Sequence, residues 1–254
     1  MCIRDRHNTV IDGNKSGSTI RIRDTGQANI VIHGFTIQNG TGHGNQRRGG
    51  GIFVDNANPA IVNCMIENNI SLFGGGISAN KSMLHLSGTT IRNNVASGSG
   101  GGVLIRQNTV VNFDAINKCN IYLNHAARGA DIHKSYLSPA QVITIDTFTV
   151  VKPDTYFILS TDNMGNPVND LTVHISQGLI EPVKSDLFVD PVFGSDSNSG
   201  LTPDDALNTI DFAYKKILPD TLNSNTIFLS NGTYSPSTNG ERFPVQGRSY
   251  VNLI

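Results

Sequence analysis

The chain has 254 residues, 38% of them hydrophobic, 15% charged and only 7% aromatic. Charge lies well under the roughly 25% of an average soluble domain, while 26 Gly and 28 Asn stand where charged helix-formers would, which argues against a compact α/β enzyme. A net charge of -1 from 19 basic and 20 acidic residues, with no basic block, excludes an electrostatic nucleic-acid footprint and a polybasic membrane surface. No apolar run approaches the roughly 18 residues of a membrane span.

The opening Met1-Cys2-Ile3-Arg4-Asp5-Arg6 is charged and has neither an apolar core nor a small-residue cleavage site, so it does not read as a secretory signal. Residues 1–6 resemble translated sequencing-adapter readthrough and are expected to be non-native. Strand-like text begins at once with Thr9-Val10-Ile11-Asp12-Gly13 and stops inside an alternating pattern at Tyr250-Val251-Asn252-Leu253-Ile254, so both ends are expected to be cut. A fragment of this kind is expected to self-associate through its open ends. Cys2, Cys64 and Cys119 are too few for a disulfide framework.

Two signals then recur together. An apolar-x-x-Asn motif appears as Ile66-Glu67-Asn68-Asn69, Ile91-Arg92-Asn93-Asn94 and Ile121-Tyr122-Leu123-Asn124, with Ile37-Gln38-Asn39-Gly40 as an earlier, altered copy. Each copy precedes a glycine cluster with an aliphatic: Gly49-Gly50-Gly51-Ile52, Gly74-Gly75-Gly76-Ile77, Gly100-Gly101-Gly102-Val103 and a degraded Gly129-Ala130-Asp131-Ile132. The aliphatics are 25, 26 and 29 residues apart, a period that suits one solenoid turn. Within it, Ile30, Ile32, Phe35 and Ile37, then Ala60, Val62, Cys64 and Ile66, alternate as in strands. Coils of two or three strands, stacked at about 4.8 Å, bury together what one coil cannot. Glycines supply the corners, and asparagines at equivalent turns are positioned to form ladders.

The register places Phe35, Cys64, Thr89 and Cys119 in one column. Two coil spacings, about 9.6 Å, separate the sulfurs' backbones, beyond the roughly 7 Å reach of a disulfide. Inward-facing, unbridged thiols are expected.

These paired motifs, over about residues 8–132, resemble the repeats of polymorphic outer-membrane proteins and, more broadly, right-handed parallel β-helix proteins of the pectate-lyase-like fold. The resemblance implies an all-β, right-handed parallel β-helix solenoid; it specifies an activity hardly at all. Glycine clusters stop after Ile132, and residues 133–185 read as closing coils or a small β region with a joint at 182–185. From Asp186 the text restarts: a strand at Leu187-Phe188-Val189, a loop rich in Gly, Ser and Asp, then Leu207, Ile210, Ala213, Tyr214, Ile217 and Leu218 on one helical face. A short amphipathic helix is expected over 209–218, with Thr209 or Asn208 as N-cap, Lys215 and Lys216 serving the C-terminal dipole and Pro219 closing it. Residues 186–254 resemble a DUF1565-like N-terminal cap and first coil of a second β-helix, the helix covering an otherwise open sheet edge.

For chemistry, Asp12, Asp24, Asp55, Glu67, Asp114 and Asp131 are scattered at unlike repeat positions, and the adjacent pair Asp204-Asp205 lies in the cap loop. Neither arrangement gives the converging carboxylates that calcium-assisted or acid-base cleavage of polysaccharides needs. Asp196-x-Asn198-x-Gly200 faintly echoes a calcium loop but lacks its distal Glu, so a hydrogen-bonded turn accounts for it better. His43, Arg47 and Arg48 lie in the long connection before Gly49, and His125, Arg128 and His133 flank the degraded cluster; such flanking loops can grip a sugar or sulfated glycan, although solvated loop charge is the plainer reading. Phe73 and Tyr122 are stacking platforms or corner packing. No catalytic, cofactor or metal residue is assigned and no cofactor is expected.

The expected function is a secreted or cell-surface bacterial β-helix protein, non-enzymatic, serving adhesion or glycan binding. The alternatives are the scaffold of a polysaccharide lyase or glycoside hydrolase whose active coils lie elsewhere, and a surface spacer or autotransporter passenger. Expected partners are polysaccharides or surface glycans, without nucleic acid.

Overall fold

The computed structural model describes residues 9–26, 30–135 and 137–254, which fall into two compact units meeting in sequence at Leu179 and Ile180. The segment expected to be non-native, with Cys2, lies outside the described residues.

The first unit is the parallel β-solenoid that the repeat implies. Among the described residues, one sheet stacks Val10–Asp12, Thr36–Gln38, Met65–Glu67, Thr90–Arg92, Cys119–Tyr122, Gln141–Phe148 and Leu171–Gly178 in that order, every neighbour parallel. A second sheet stacks Ile20–Arg23, Ile52–Asp55, Ile77–Asn80, Val103–Arg106, Ile132–Lys134 and Ile158–Ser160. A third holds Ile30–His33, Pro59–Val62, Met83–Ser87 and Val110–Phe113. Residues beyond Ile132 thus continue the same coils without the glycine signature.

The repeat motif and the core are the same residues. Ile37, Ile66, Ile91 and Ile121 pair in register and are fully buried, as are Ile52, Ile77, Val103 and Ile132. Each fully buried aliphatic contributes roughly 1.5–3 kcal/mol, so every added coil extends a continuous core.

Two expectations about the coil are corrected. The middle coils hold four strands rather than two or three, because Ile70–Phe73, Val95–Ser99 and His125–Arg128 form a short sheet of their own. A corner separates it from the first sheet: Asn68 and Asn93 take φ of 56° and 55°, a left-handed conformation that Asn tolerates better than most side chains. The alternation through Ala60, Val62, Cys64 and Ile66 is also broken. Ile61 points into the core opposite Ile32 and Leu86, and the positive φ of 50° at Asn63 resets the parity before Cys64.

Behind each corner a second asparagine is fully buried. The Asn69 amide donates to Asn94 Oδ1 at 2.9 Å, and Asn94 to Asn124 Oδ1 at 3.0 Å. The same side chains also donate to the carbonyls of Ile37, Ile66 and Ile91. The ladder ends on Asp131, whose carboxylate accepts the Asn124 amide at 2.9 Å and the Thr149 hydroxyl at 2.7 Å. The irregular Gly129-Ala130-Asp131 is therefore a terminator: Asp131 stacks on Gly102, and an acceptor-only side chain completes a row of donors that has no further asparagine to reach.

The glycine corners leave no room for a side chain. A Cβ on Gly75 would lie 2.4 Å from the carbonyl oxygen of Gly101, and Gly74 before it needs φ of 68°. Cys64 and Cys119 are buried, with Thr89 between them in the column; Cys64 Sγ donates to the Ile32 and Val62 carbonyls, and burial pushes Cys119 up to about 11.

The second unit is a parallel sheet of Leu187–Val189, Asn225–Leu229 and Val251–Leu253 with a helix, Ile210–Lys216, against its first strand. Leu187, Val189, Leu207, Ala213, Ile217 and Ile227 form its core. Thr209 is the N-cap, accepting from the Phe212 N–H at 3.1 Å, and the buried Glu241 carboxylate accepts from the N–H groups of Ile210 and Asp211. Lys215 does not serve the helix C-terminus as expected: it is buried and paired with Asp211 one turn earlier, while Arg248 donates to the carbonyls of Tyr214 and Ile217.

Candidate cationic groove on the outer sheet face

The outward side chains of the second sheet run in two register rows. One is Arg21, Phe53, Ser78, Leu104, His133 and Leu159; the other is Arg23, Asp55, Asn80 and Arg106. Neighbouring elements bring Arg48 and Arg128 to the same face, where Gln46, Phe73, Ser99, Ser135 and the turn at 161–165 complete a groove of about 460 Å³. That volume falls within the range of small-ligand sites, roughly 300–1,000 Å³. Arg21, Arg23, Arg48, Arg106 and Arg128 are five of the chain's 11 arginines, gathered on one face of a molecule whose net charge is -1.

Local structure positions each cation. A two-residue exchange of backbone hydrogen bonds between His43 and Arg48 closes the loop that carries Arg48, whose guanidinium also donates to Gln46. Arg128 ends the short sheet and donates to the Gly165 carbonyl at 2.7 Å. The wall carrying Gly165 is rigid, since Asp162 accepts from the N–H groups of Met164 and Asn166 and from the Asn166 amide. This holds the Asp162 carboxylate below its ordinary range and commits it to its own turn.

Several buried polar atoms of this region are unpaired. His133 Nε2 meets Thr161 Oγ1 at 3.2 Å, but its Nδ1 has no partner, nor do Arg48 Nε and Ser78 Oγ. Each such atom costs about 1–3 kcal/mol when left unsatisfied. Burial, reinforced by the charge of Arg128, pushes His133 down to about 4, so the imidazole is neutral near pH 7. Burial also lowers the Arg48 guanidinium from its ordinary value, against the opposing pull of Asp55.

Of the residues singled out from sequence, Arg48, Phe73, Arg128 and His133 meet in this groove. His43 stands beside Arg21, 3.2 Å from its guanidinium, and tilts against Phe53 with ring centroids 5.4 Å apart. Arg47 is structural: Nε donates to the Thr41 carbonyl and its own carbonyl accepts the Leu72 N–H. His125 is buried in the short sheet. Tyr122 follows Glu67 and Arg92 in the outward row of the first sheet, so it is part of a side-chain ladder. Arg106 and the turn at 161–165 escaped the sequence reading; alternation from Val103 identifies Arg106 as outward, whereas nothing local signals the turn.

The carboxylates do not converge. Asp12 accepts from the amides of Gln38 and Asn39, Glu67 pairs with Arg92 at 2.8 Å, Asp55 accepts from Asn80 and lies 3.5 Å from Arg23, and Asp24 accepts from Asn56. Asp114 caps its own turn and accepts from Ser87, and Asp131 ends the ladder. In the second unit, Asp205 accepts from Ser199, and Asp196 accepts from the N–H groups of Asn208 and Thr209 and from the Thr209 hydroxyl, a hydrogen-bonded turn. Among the described residues no three His, Cys, Asp or Glu side chains are grouped to hold a metal ion.

A larger cavity, about 590 Å³, lies beside the last coils of the first unit. Its walls include Leu171, Val173 and Ile175, from the strand paired with Gln141–Phe148, together with Lys152 and Asp154.

Fold and groove define the class: a parallel β-solenoid with a cationic groove on an outer sheet face. Comparison with protein-family models, curated proteins and solved structures finds no match. Among the described residues no helix is long and apolar enough to cross a membrane.

Proposed function

We propose that this chain belongs to a secreted or cell-surface bacterial β-helix protein, non-enzymatic, that serves adhesion or glycan binding. The observation that carries the reading is the groove, where Arg48, Arg106 and the pair Arg128 and His133, from three coils, line one cavity on the sheet face. Arginine forks on a rigid scaffold grip an extended polar polymer through many hydrogen bonds without new chemistry. The carboxylates that hydrolysis or metal-assisted cleavage draws on are committed to turns, ladders and ion pairs. The motif resemblance to polymorphic outer-membrane-protein repeats and to a DUF1565-like cap agrees with surface display. A glycan array probed with the chain tests the reading: retention on polysaccharide spots, lost on substitution of groove arginines, supports it, and an array without retention defeats it.

A second reading, with chemistry on this chain itself and distinct from a scaffold whose active coils lie elsewhere, draws on one observation, the neutral His133 imidazole beside Arg128, a group able to accept a proton. It ranks second because Nδ1, the unpaired nitrogen, is buried. Release of unsaturated oligosaccharides by this chain, abolished in His133→Leu, would reverse the ranking.

A further inference from the structure

We propose that the free edge of the last strand in the first sheet, Leu171–Gly178, pairs antiparallel with the same strand of a second copy of this chain, across a two-fold axis at Val173. This interface stands apart from the groove and gives the self-association expected of open ends one edge and one symmetry. Three observations point to it.

The first is the backbone. Leu171–Gly178 is paired on one side only, in parallel register with Gln141–Phe148. The Gln141 N–H donates to the Asp170 carbonyl, and a parallel ladder alternates, so Thr172, His174 and Ser176 turn their backbone groups to that neighbour. The N–H and C=O groups of Leu171, Val173 and Ile175 therefore point away from the sheet. Such a row is a template for another strand, and no Pro, Lys or bulge in Leu171–Gly178 guards it.

The second is the core, which is open at this end. Leu171, Val173 and Ile175 stand inward, in register with the buried Gln141, Ile143 and Ile145, yet each is only half-buried. They line the cavity of about 590 Å³, where aliphatics of a second copy would supply the next layer of the interior. The rim of that cavity carries Lys152 and Asp154, one charge of each sign, so two identical rims meet without net repulsion.

The third is self-complementarity. With the axis at Val173 and normal to the sheet, both inner faces stay on one side: Leu171 meets the partner's Ile175, and Val173 meets the partner's Val173. All three inward pairs fall on residues whose backbone groups are free, so each exchanges two hydrogen bonds, about six in all. Thr172 and the partner's His174 pair on the outer face. Moving the centre to His174 would set Leu171 against the partner's Gln177 and spoil the match. A two-fold contact of this kind closes at two copies.

Sedimentation of the whole chain from low to high micromolar concentration tests this, and a monomer–dimer equilibrium without larger species is expected. Val173→Lys sets two like charges together on the axis, and Val173→Pro removes the edge donor while sparing the ladder to Gln141–Phe148. Each should weaken dimerisation about tenfold or more, with circular dichroism confirming that the variants are folded. Disulfides read the register, because Thr172 and the partner's His174 form a non-hydrogen-bonded pair with Cα atoms about 4.5 Å apart, inside disulfide reach. In a Cys2→Ser background, Thr172→Cys combined with His174→Cys should give a covalent dimer on mild oxidation, and His174→Cys alone should not. A chain that stays monomeric throughout overturns the proposal, as does a dimer indifferent to both Val173 variants. Efficient crosslinking by His174→Cys alone overturns the centre at Val173. Species that grow without limit as concentration rises overturn the two-fold in favour of head-to-tail stacking.

Discussion

Two rows of buried polar groups run along the same solenoid and are treated in opposite ways. In the asparagine row each amide is used twice, once on the next coil's oxygen and once on a backbone carbonyl, and Asp131 closes the end. On the outer face, Arg48, Ser78 and His133 hold polar atoms buried and unpaired. A fully satisfied network serves the fold, because any gap in it costs desolvation without return. The orphaned atoms of the outer face belong to no such network and lie beside the cationic cavity or in its row. The contrast separates scaffold from site without reference to any relative.

The largest expected effect breaks the satisfied row. Asn94→Ala removes the acceptor of the Asn69 amide and backbone N–H and the donor to the Ile66 carbonyl. It should destabilise the chain by about 4 kcal/mol, summing groups at 1–3 kcal/mol each, as read from the denaturant midpoint; a loss under about 1 kcal/mol would show that the ladder is decorative.

The next prediction concerns acid. His133 titrates at about 4 in the folded chain against an ordinary 6.5, so between those values the unfolded state holds the extra proton. Stability attributable to His133 is therefore complete above pH 6.5 and declines as pH falls toward 4, by up to about 3 kcal/mol. Arg106, Arg128 and the turn-bound Asp162 line the same groove, and the carboxylate, held below its ordinary value by its turn, stays charged through this window. Asp196 and Glu241, both raised by burial, slope the other way near its lower end. Denaturation curves from pH 7 to 4 should flatten in His133→Leu, whose side chain suits the row beside Leu104 and Leu159; an unchanged slope would remove His133 from the account.

A smaller effect sits at the corner where the repeat departs from asparagine. Leu123 takes φ of 53°, the conformation that Asn68 and Asn93 hold in the coils before it. Leu123→Asn should stabilise by roughly 0.5–1 kcal/mol in thermal melts, since asparagine accepts this conformation more readily. Smallest of all, Arg128→Gln should leave stability within about 0.5 kcal/mol, because its guanidinium bonds an exposed turn. Ligand loss without stability loss is the signature of the open row; a large destabilisation would place Arg128 with the scaffold.

The solenoid was legible because its motif is its core: a 25-residue spacing of isoleucine, asparagine and glycine describes a column, a corner and a close approach that stacking repeats. The same local rules misjudged Ala60 and Val62, since a single left-handed residue at Asn63 inverts which face alternation reports. They also misjudged Lys215, whose place at the helix end is outweighed by burial beside Asp211. Half of the groove was visible as loop charge at Arg48, Arg128 and His133. The remainder was not, since Arg106 and the turn at 161–165 join them only through parallel register between coils.

What the amino-acid sequence determined alone is the period, the strand content, the inward column and the corners, all properties of residues within one coil of each other. Tertiary structure decided which outward residues become neighbours. Stacking converts a separation of 25 to 30 residues into one strand spacing, so Arg48, Arg106 and the pair Arg128 and His133, from three coils, share one cavity whose charge no single coil carries.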